Sequence, residues 1–323
     1  VRPAHIARLR FRPTQPADLA ECLELSSECL GLDDELRRAL PGLWRRILGL
    51  PSITTTVMED LAMPTGQRIQ GWGYSFALPE DWIRQEQLDN RPSAFVVRRI
   101  YAGILDGSFK LMDDAELGHA NAQGRYHYIH FYSQRHKDLN DPYVQSVFNI
   151  ANEAFRTAAS GFNLRAMYFE TSAQDAPAIV AAGFLRRLYA NESSLEHLSE
   201  QARPAFLSMT REEVRASLPG TSVRHVFDHH PPLFRFSYSQ RRLLWLALFD
   251  DSDAHLTERL EISVHGLKKL WRGIYERIED RMPEFFGDAG GGDEGKRGPE
   301  KRRQVLAYVR QRPEEMRPWS GTD

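Results

Sequence analysis

No stretch constrains this chain more than Ser239 to Glu279, SQRRLLWLALFDDSDAHLTERLEISVHGLKKLWRGIYERIE. Its apolar residues recur at helical spacing in three runs. Gln240 to Leu248 turns Leu243, Leu244 and Ala247 to one side, and Ala254 to Leu260 does the same with Leu256 and Leu260. After Ser263, whose hydroxyl suits a helix N-cap, Leu267, Leu270, Ile274 and Ile278 form an inward stripe. Only Glu261 and Ile262 separate the second run from the cap. A turn that short makes the last two helices cross rather than continue as one rod. The side of the third helix left outward is His265, Lys268, Lys269 and Arg272, and its acidic residues Glu276, Glu279 and Asp280 fall at the far end. Gly266 inside this helix costs about 1 kcal/mol of propensity relative to alanine.

The chain has 323 residues, 41% hydrophobic and 27% charged, which fits two folded domains rather than a disordered segment. No apolar run approaches the roughly 20 residues that span a bilayer. The start, VRPAHIARLRFRP, lacks the apolar core of a secretory leader. Cys22 and Cys29, the only cysteines, are too few for a structural zinc site and suit a reducing cytoplasm. The formal net charge is −2, so any polyanion-binding surface must concentrate its cations on one face.

Ahead of the three helices, strand and helix patterns alternate. Strands are expected at Leu9–Arg12, Ile53–Glu59, Ile69–Leu78, Tyr126–Tyr132, Ala166–Glu170 and Leu185–Tyr189. Helices are expected at Asp18–Leu30, Tyr143–Ala159 and Ala176–Ala182. The expected division is a first domain over 1–198, a linker over 199–235 ending in His229-His230-Pro231-Pro232, a helical domain over 236–286, a flexible glycine-rich spacer over 287–298 and a basic amphipathic helix in 299–323.

The run from Gln240, with Ile262-Ser263 before the third helix and Lys268 within it, resembles the LuxR-type helix-turn-helix domain. The resemblance implies a DNA reader, with the helix after Ser263 in the major groove and Ser263, His265, Lys268, Lys269 and Arg272 on phosphates or base edges. It also implies a homodimer on double-stranded DNA. Glu261 stands where that family has a turn glycine, Thr257 where it has a small alanine and Gly266 where it has a threonine.

The first domain resembles the GNAT-type N-acetyltransferase fold through FRPTQPADLAECLEL, the long helix after the Tyr126 strand and IVAAGFLRR. Active members cradle the acetyl-CoA pyrophosphate on a glycine-bearing loop. The corresponding stretch here is SQRHKDLND, Ser133 to Asp141, without a glycine. Ile179 stands where a general-acid tyrosine is common, and Ser172 where an asparagine is common. An isoleucine cannot protonate a leaving thiolate.

The expected fold class is therefore an α+β GNAT-like domain, a mixed sheet flanked by helices, joined to an all-α helix-turn-helix domain. The expected function is DNA-binding transcriptional regulation, with no catalytic residue, cofactor, metal or membrane partner. A small-molecule effector could bind a pocket lined by Tyr126, Tyr128, His130, Tyr132 and Trp72. The competing expectation is a divergent acetyl-CoA-dependent N-acetyltransferase with a helical extension. Arg135, His136 and Lys137 are candidate anion ligands, Glu170 a candidate base and His229-His230 a candidate metal pair. Each of these has a plainer reading as a solvated loop, a capping carboxylate and the end of a linker.

Overall fold

The computed structural model describes residues 8–216, 222–250, 252–287 and 294–320. Among them, β1 (Leu9–Pro13), β2 (Ile53–Asp60), β3 (Ile69–Leu78), β4 (Arg125–Gln134), β5 (Leu164–Ser172), β6 (Leu185–Arg187) and β7 (Pro204–Thr210) form one mixed sheet. Its strand order is β1-β2-β3-β4-β5-β7-β6. The one parallel pair among these strands is β4 with β5, matched from Arg125 opposite Leu164 to Ile129 opposite Phe169. Beyond those residues β4 continues to Gln134 and β5 to Ser172 without pairing each other.

The helices α1 (Leu19–Glu24) and α2 (Asp34–Ile47) fall between β1 and β2. Between β3 and β4 come α3 (Glu80–Gln85), α4 (Val96–Asp106) and α5 (Asp114–Gln123). The long α6 (Pro142–Ala159) joins the parallel strands, α7 (Ala176–Ala181) precedes β6, and α8 (Arg211–Ala216) and α9 (Ser222–Val226) follow β7. The chain then forms α10 (Tyr238–Ala247), α11 (Asp253–Leu260), α12 (Val264–Arg281) and α13 (Glu294–Gln311).

Alternation along the strands sorts the sheet core. Trp72, Tyr74, Phe76, Tyr126, Tyr128, Tyr168 and Phe206 join a cluster with Leu40, Leu43 and Trp44 of α2 and Ile100 and Tyr101 of α4. Polar tips of several of these aromatics find partners within the fold, as burial requires. The Trp44 indole donates to the Tyr101 hydroxyl at 3.1 Å, and the Trp72 indole to the Thr55 hydroxyl at 2.9 Å. On the other face Ile129, Met167, Phe169 and Leu207 pack with Phe162, Phe184 and Val226. Leu9 and Met58 meet Val147, Ala151 and Ala154 of α6 there.

Four sequence expectations change. The helix expected over Asp18–Leu30 is interrupted: α1 ends at Glu24, and Glu28–Leu30 is a separate 3₁₀ turn closed by left-handed Gly31. Cys22 and Cys29 sit on the two pieces, both free and buried, and burial pushes both thiols upward, Cys29 to about 12. The expected linker over 199–235 supplies β7, which lies between β5 and β6, so the sheet unit runs past residue 198. Of the expected spacer, residues 288–293 lie outside the described ones, and from Glu294 the chain is already α13.

The fourth change concerns the helical unit, which is not free-standing. Its core joins Phe234, Phe236, Leu243, Leu244, Leu256, Leu267, Trp271, Ile274 and Ile278 to Val305, Leu306 and Val309 of α13. The apolar side of the basic C-terminal helix is thus spent inside its own chain. The residues after α13 then lie in the seam between helical unit and sheet unit. Glu315 accepts the amides of Leu233 and Phe234, both at 2.9 Å. Arg317 donates to the carbonyls of Ser160 at 2.8 Å and Thr157 at 2.9 Å, the unpaired carbonyls at the C-terminal end of α6. Trp319 donates to the Phe236 carbonyl, and the Pro318 carbonyl accepts from Asn121 of α5, each at 3.0 Å. Arg241 of α10 completes the seam with an ion pair in which one guanidinium nitrogen reaches both carboxylate oxygens of Asp114, at 2.6 and 2.7 Å.

The seam leaves no room for a side chain at Gly118 of α5, where a Cβ would stand 2.3 Å from the Trp319 carbonyl oxygen. We predict that Gly118→Ala displaces the tail and costs about 1–3 kcal/mol by overpacking. Hydrogen exchange should rise across residues 313–320 while the strands stay protected; unchanged tail protection would refute the assignment.

Candidate nucleic-acid interface

The second and third helices of the C-terminal unit are set by their ends. Between α11 and the Ser263 cap the chain reverses through Glu261, which adopts a left-handed conformation (φ 55°, ψ 42°). That backbone is costly for a residue with a Cβ and normal for glycine. At the start of α12 the Ser263 hydroxyl accepts the Gly266 amide at 3.1 Å. The buried stripe of α12 is Leu267, Trp271, Ile274 and Ile278, with Leu270 only partly covered. Trp271 thus replaces Leu270 in the stripe read from the sequence.

His265, Lys268, Lys269 and Arg272 are all exposed, at i, i+3, i+4 and i+7, so they share one face. Val264, 55% exposed, stands at the same end. Among the described residues Lys268 and Lys269 make no ion pair, and Arg272 has only an exposed partner, Glu276, at 3.8 Å. Other cations of this unit are committed elsewhere. Arg302 of α13 pairs with Asp253 at 2.8 Å and lies over the Trp271 ring, and Lys301 pairs with Glu279 at 2.6 Å. The acidic loop before α11 is likewise occupied: Asp250 accepts from His255 at 2.7 Å, and Asp253 holds Arg302. Asp251 lies outside the described residues. Uncommitted positive charge is thereby left on the first half of α12.

The sheet unit places the other candidates differently. Tyr126, Tyr128 and Trp72 are 5%, 0% and 1% exposed and sit in the aromatic core, so they line no open pocket. The side chains of His130 and Tyr132 lie outside the described ones. The opposite face of β4 does border a cavity, about 700 Å³, lined by His127, Ile129, Phe148, Phe155, Met167 and Phe169 among others. Burial, reinforced by Arg125 and Arg317, holds the His127 imidazole well below its ordinary value and so neutral.

Glu170 is fully buried and caps α4 across the fold. It accepts the amides of Val96 at 3.2 Å and Val97 at 3.4 Å, and the hydroxyls of Tyr189 at 2.7 Å and Tyr128 at 3.3 Å. Burial raises its carboxyl, opposed by the Tyr189 hydroxyl and the two amides. With its oxygens engaged by the fold it is a structural acceptor, the plainer of its two sequence readings.

The loop Ser133 to Asp141 offers no open anion cradle. Asp141 itself caps α6 by accepting the Tyr143 amide at 2.8 Å, which puts a carboxylate where an incoming phosphate needs free amides. Arg135 donates to the Ile69 carbonyl at 3.2 Å, and Lys137 pairs with Asp175 at 3.3 Å. Ser172 is spent on the Asp175 turn, its hydroxyl 2.8 Å from that carboxylate. His229 contacts the Gly161 carbonyl at 3.2 Å, and among the described residues no His, Cys, Asp and Glu side chains are grouped to hold a metal. No described helix is long and apolar enough to cross a membrane.

No protein-family model matches this chain, and no curated protein does. Several solved structures are similar to part of it. A variant of spermidine N-acetyltransferase SpeG from Vibrio cholerae is 12% identical, with 63% of this chain and 94% of that one covered at a TM-score of 0.35. An acetyltransferase from Thermus thermophilus is 12% identical, covering 64% and 99% at 0.35. An acetyltransferase assigned to the GNAT family, from Desulfovibrio desulfuricans, is 11% identical, covering 62% and 98% at 0.33. At this level of similarity no residue's role carries over.

The turn and helix geometry predicts two stabilising substitutions. Glu261→Gly should relieve the left-handed strain by about 1 kcal/mol. Gly266→Ala should gain up to about 1 kcal/mol, since its Cβ would meet only the Ile262 and Ser263 side chains at 3.4 Å and beyond. Urea denaturation monitored on the helical unit reads both; a loss of stability in either would contradict the turn or the helix as described.

Proposed function

We propose that this chain is a DNA-binding transcriptional regulator in which α11, the Glu261 turn and α12 act as a LuxR-like helix-turn-helix. In this reading α12 enters the major groove and presents Ser263, His265, Lys268, Lys269 and Arg272 to phosphates and base edges. The observation that carries it is the exposed cationic face of α12, unshared with neighbouring carboxylates apart from the Glu276 contact. Binding two half-sites one helical turn apart calls for a homodimer. The sheet unit is an acetyltransferase-like scaffold that does not run acetyl transfer. Support for that comes from the loop after β4, where Asp141 occupies the α6 N-terminus, and from Ile179 in place of an ionisable side chain. Its role is to receive an effector and, through the seam, to bias how α12 is presented.

The test is the salt dependence of duplex binding by the full-length chain. If Lys268 and Lys269 each neutralise a phosphate, changing both to alanine lowers the slope of log K against log salt by about 2. An unchanged slope and affinity would sink the assignment of α12.

A second reading, a divergent N-acetyltransferase, is favoured by the 700 Å³ cavity between the sheet, α6 and α7. It predicts a rise in melting temperature on saturation with acetyl-CoA. The regulator reading expects no shift and no acetylated product across a panel of amines.

A further inference from the structure

A second cavity, about 1010 Å³, lies between the sheet unit and the helical unit. Its walls carry arginines from both: Arg10 and Arg12 of β1, Arg45 of α2, Arg241 and Arg242 of α10, Arg259 of α11, and Arg317 of the tail, which is spent on the α6 carbonyls. Their partners divide them into two groups. Arg12 is neutralised by Asp18 at 2.6 Å and Glu59 at 3.0 Å, Arg10 by Glu59 at 2.6 Å, and Arg241 by Asp114. Arg45, Arg242 and Arg259 have no carboxylate partner among the described residues. Arg242 instead donates to the Arg259 carbonyl at 3.1 Å, which holds α10 and α11 together at the wall. Arg259 is only partly exposed; burial and the nearby Arg12 disfavour its charge, while Asp18 and Asp250 favour it. Of the lining acids, Asp114 and Asp250 are engaged by Arg241 and His255, while Glu258 and Glu261 are exposed to solvent. Arg45 is exposed, and Arg242 and Arg259 are partly covered; guanidiniums with no direct ion-pair partner attract an anion, and their forked donors match paired phosphate oxygens.

We propose that this cleft binds a small diphosphate-bearing molecule through Arg45, Arg242 and Arg259, and that it is the effector site of the protein. Only the second half of that statement rests on the regulator reading. A ligand held by Arg45 on one side and by Arg242 and Arg259 on the other spans both units. It therefore favours the docked arrangement over any in which the units separate.

The experiment is calorimetric titration of the full-length chain, without DNA and at constant ionic strength, with inorganic pyrophosphate and separately with ADP. Saturable one-to-one binding of either supports the site. Binding of ADP but not pyrophosphate assigns part of the recognition to the organic portion, and equal binding assigns it to the phosphates. Arg242→Gln and Arg259→Gln, verified as folded by their melting curves, should each weaken binding about tenfold or more. The double change of Lys268 and Lys269 to alanine should leave it intact. Absence of binding by both probes overturns the proposal. So does binding that survives the Arg242 and Arg259 changes or is lost with the two lysines. Because no DNA is present, such a failure leaves the groove-binding assignment of α12 standing. A failed salt-slope experiment with intact pyrophosphate or ADP binding would remove that assignment alone.

Discussion

Among the contacts that join the two halves of this protein, a buried guanidinium ties the chain's last residues to the end of α6. Arg317 lies over the Phe162 ring, its carbon 4.3 Å from the centroid, and donates to the carbonyls that end α6. Arg125 approaches the same ring at 4.2 Å. Burial lowers both guanidiniums to about 9, and each is further disfavoured by a neighbouring arginine charge. Such a site is tolerable because aromatic faces and the negative end of the α6 dipole supply part of the missing counter-charge. The residues on either side of that anchor make further contacts. Glu315 accepts the Leu233 and Phe234 amides, and Trp319 donates to the Phe236 carbonyl. The last residues of the chain thus fix where the helical unit sits on the sheet unit.

This docking divides the helical unit into two sides. The side formed by α10 and α11 faces the sheet unit, through Arg241 on Asp114 and Phe249 edge-on to Phe11 at 5.3 Å. The first half of α12 stays clear of it, with its cations toward solvent. Charge follows the same division. Lys301 and Arg302 of the last helix are consumed by carboxylates of α11 and α12, so they add little to an external field. A chain of nearly neutral net charge can in this way keep a local cationic ridge.

The sheet unit shows the opposite economy. Several of its polar groups are spent within the fold: Glu170 on the α4 amides, Asp141 on α6, Ser172 and Asp175 on each other. Along the loop after β4, Arg135 and Lys137 are likewise engaged, by the Ile69 carbonyl and by Asp175.

Much of the local structure was already present in the order of residues. Period-two alternation in Ile69–Leu78 and the aromatic run at Tyr126 mark strands because a half-buried pleat demands that pattern, and both appear. The Ser263 cap, the α12 stripe and the exposure of Lys268 and Lys269 follow from helical geometry and near neighbours alone. Leu36, Leu40, Leu43, Trp44 and Ile47 likewise carry the α2 pattern, a legible signal obscured by Pro41 within it. Tertiary structure decided what depends on distant partners. The Tyr126 and Tyr128 face became core rather than pocket because α2 and α4 cover it. Residues 204–210 became an internal strand because β5 and β6 offered two free edges. The arginines of β1, α2, α10 and α11 share one cleft only because the helical unit packs on the sheet unit. Local sequence encodes which face of an element is apolar; which surface covers that face is settled only when the whole chain packs.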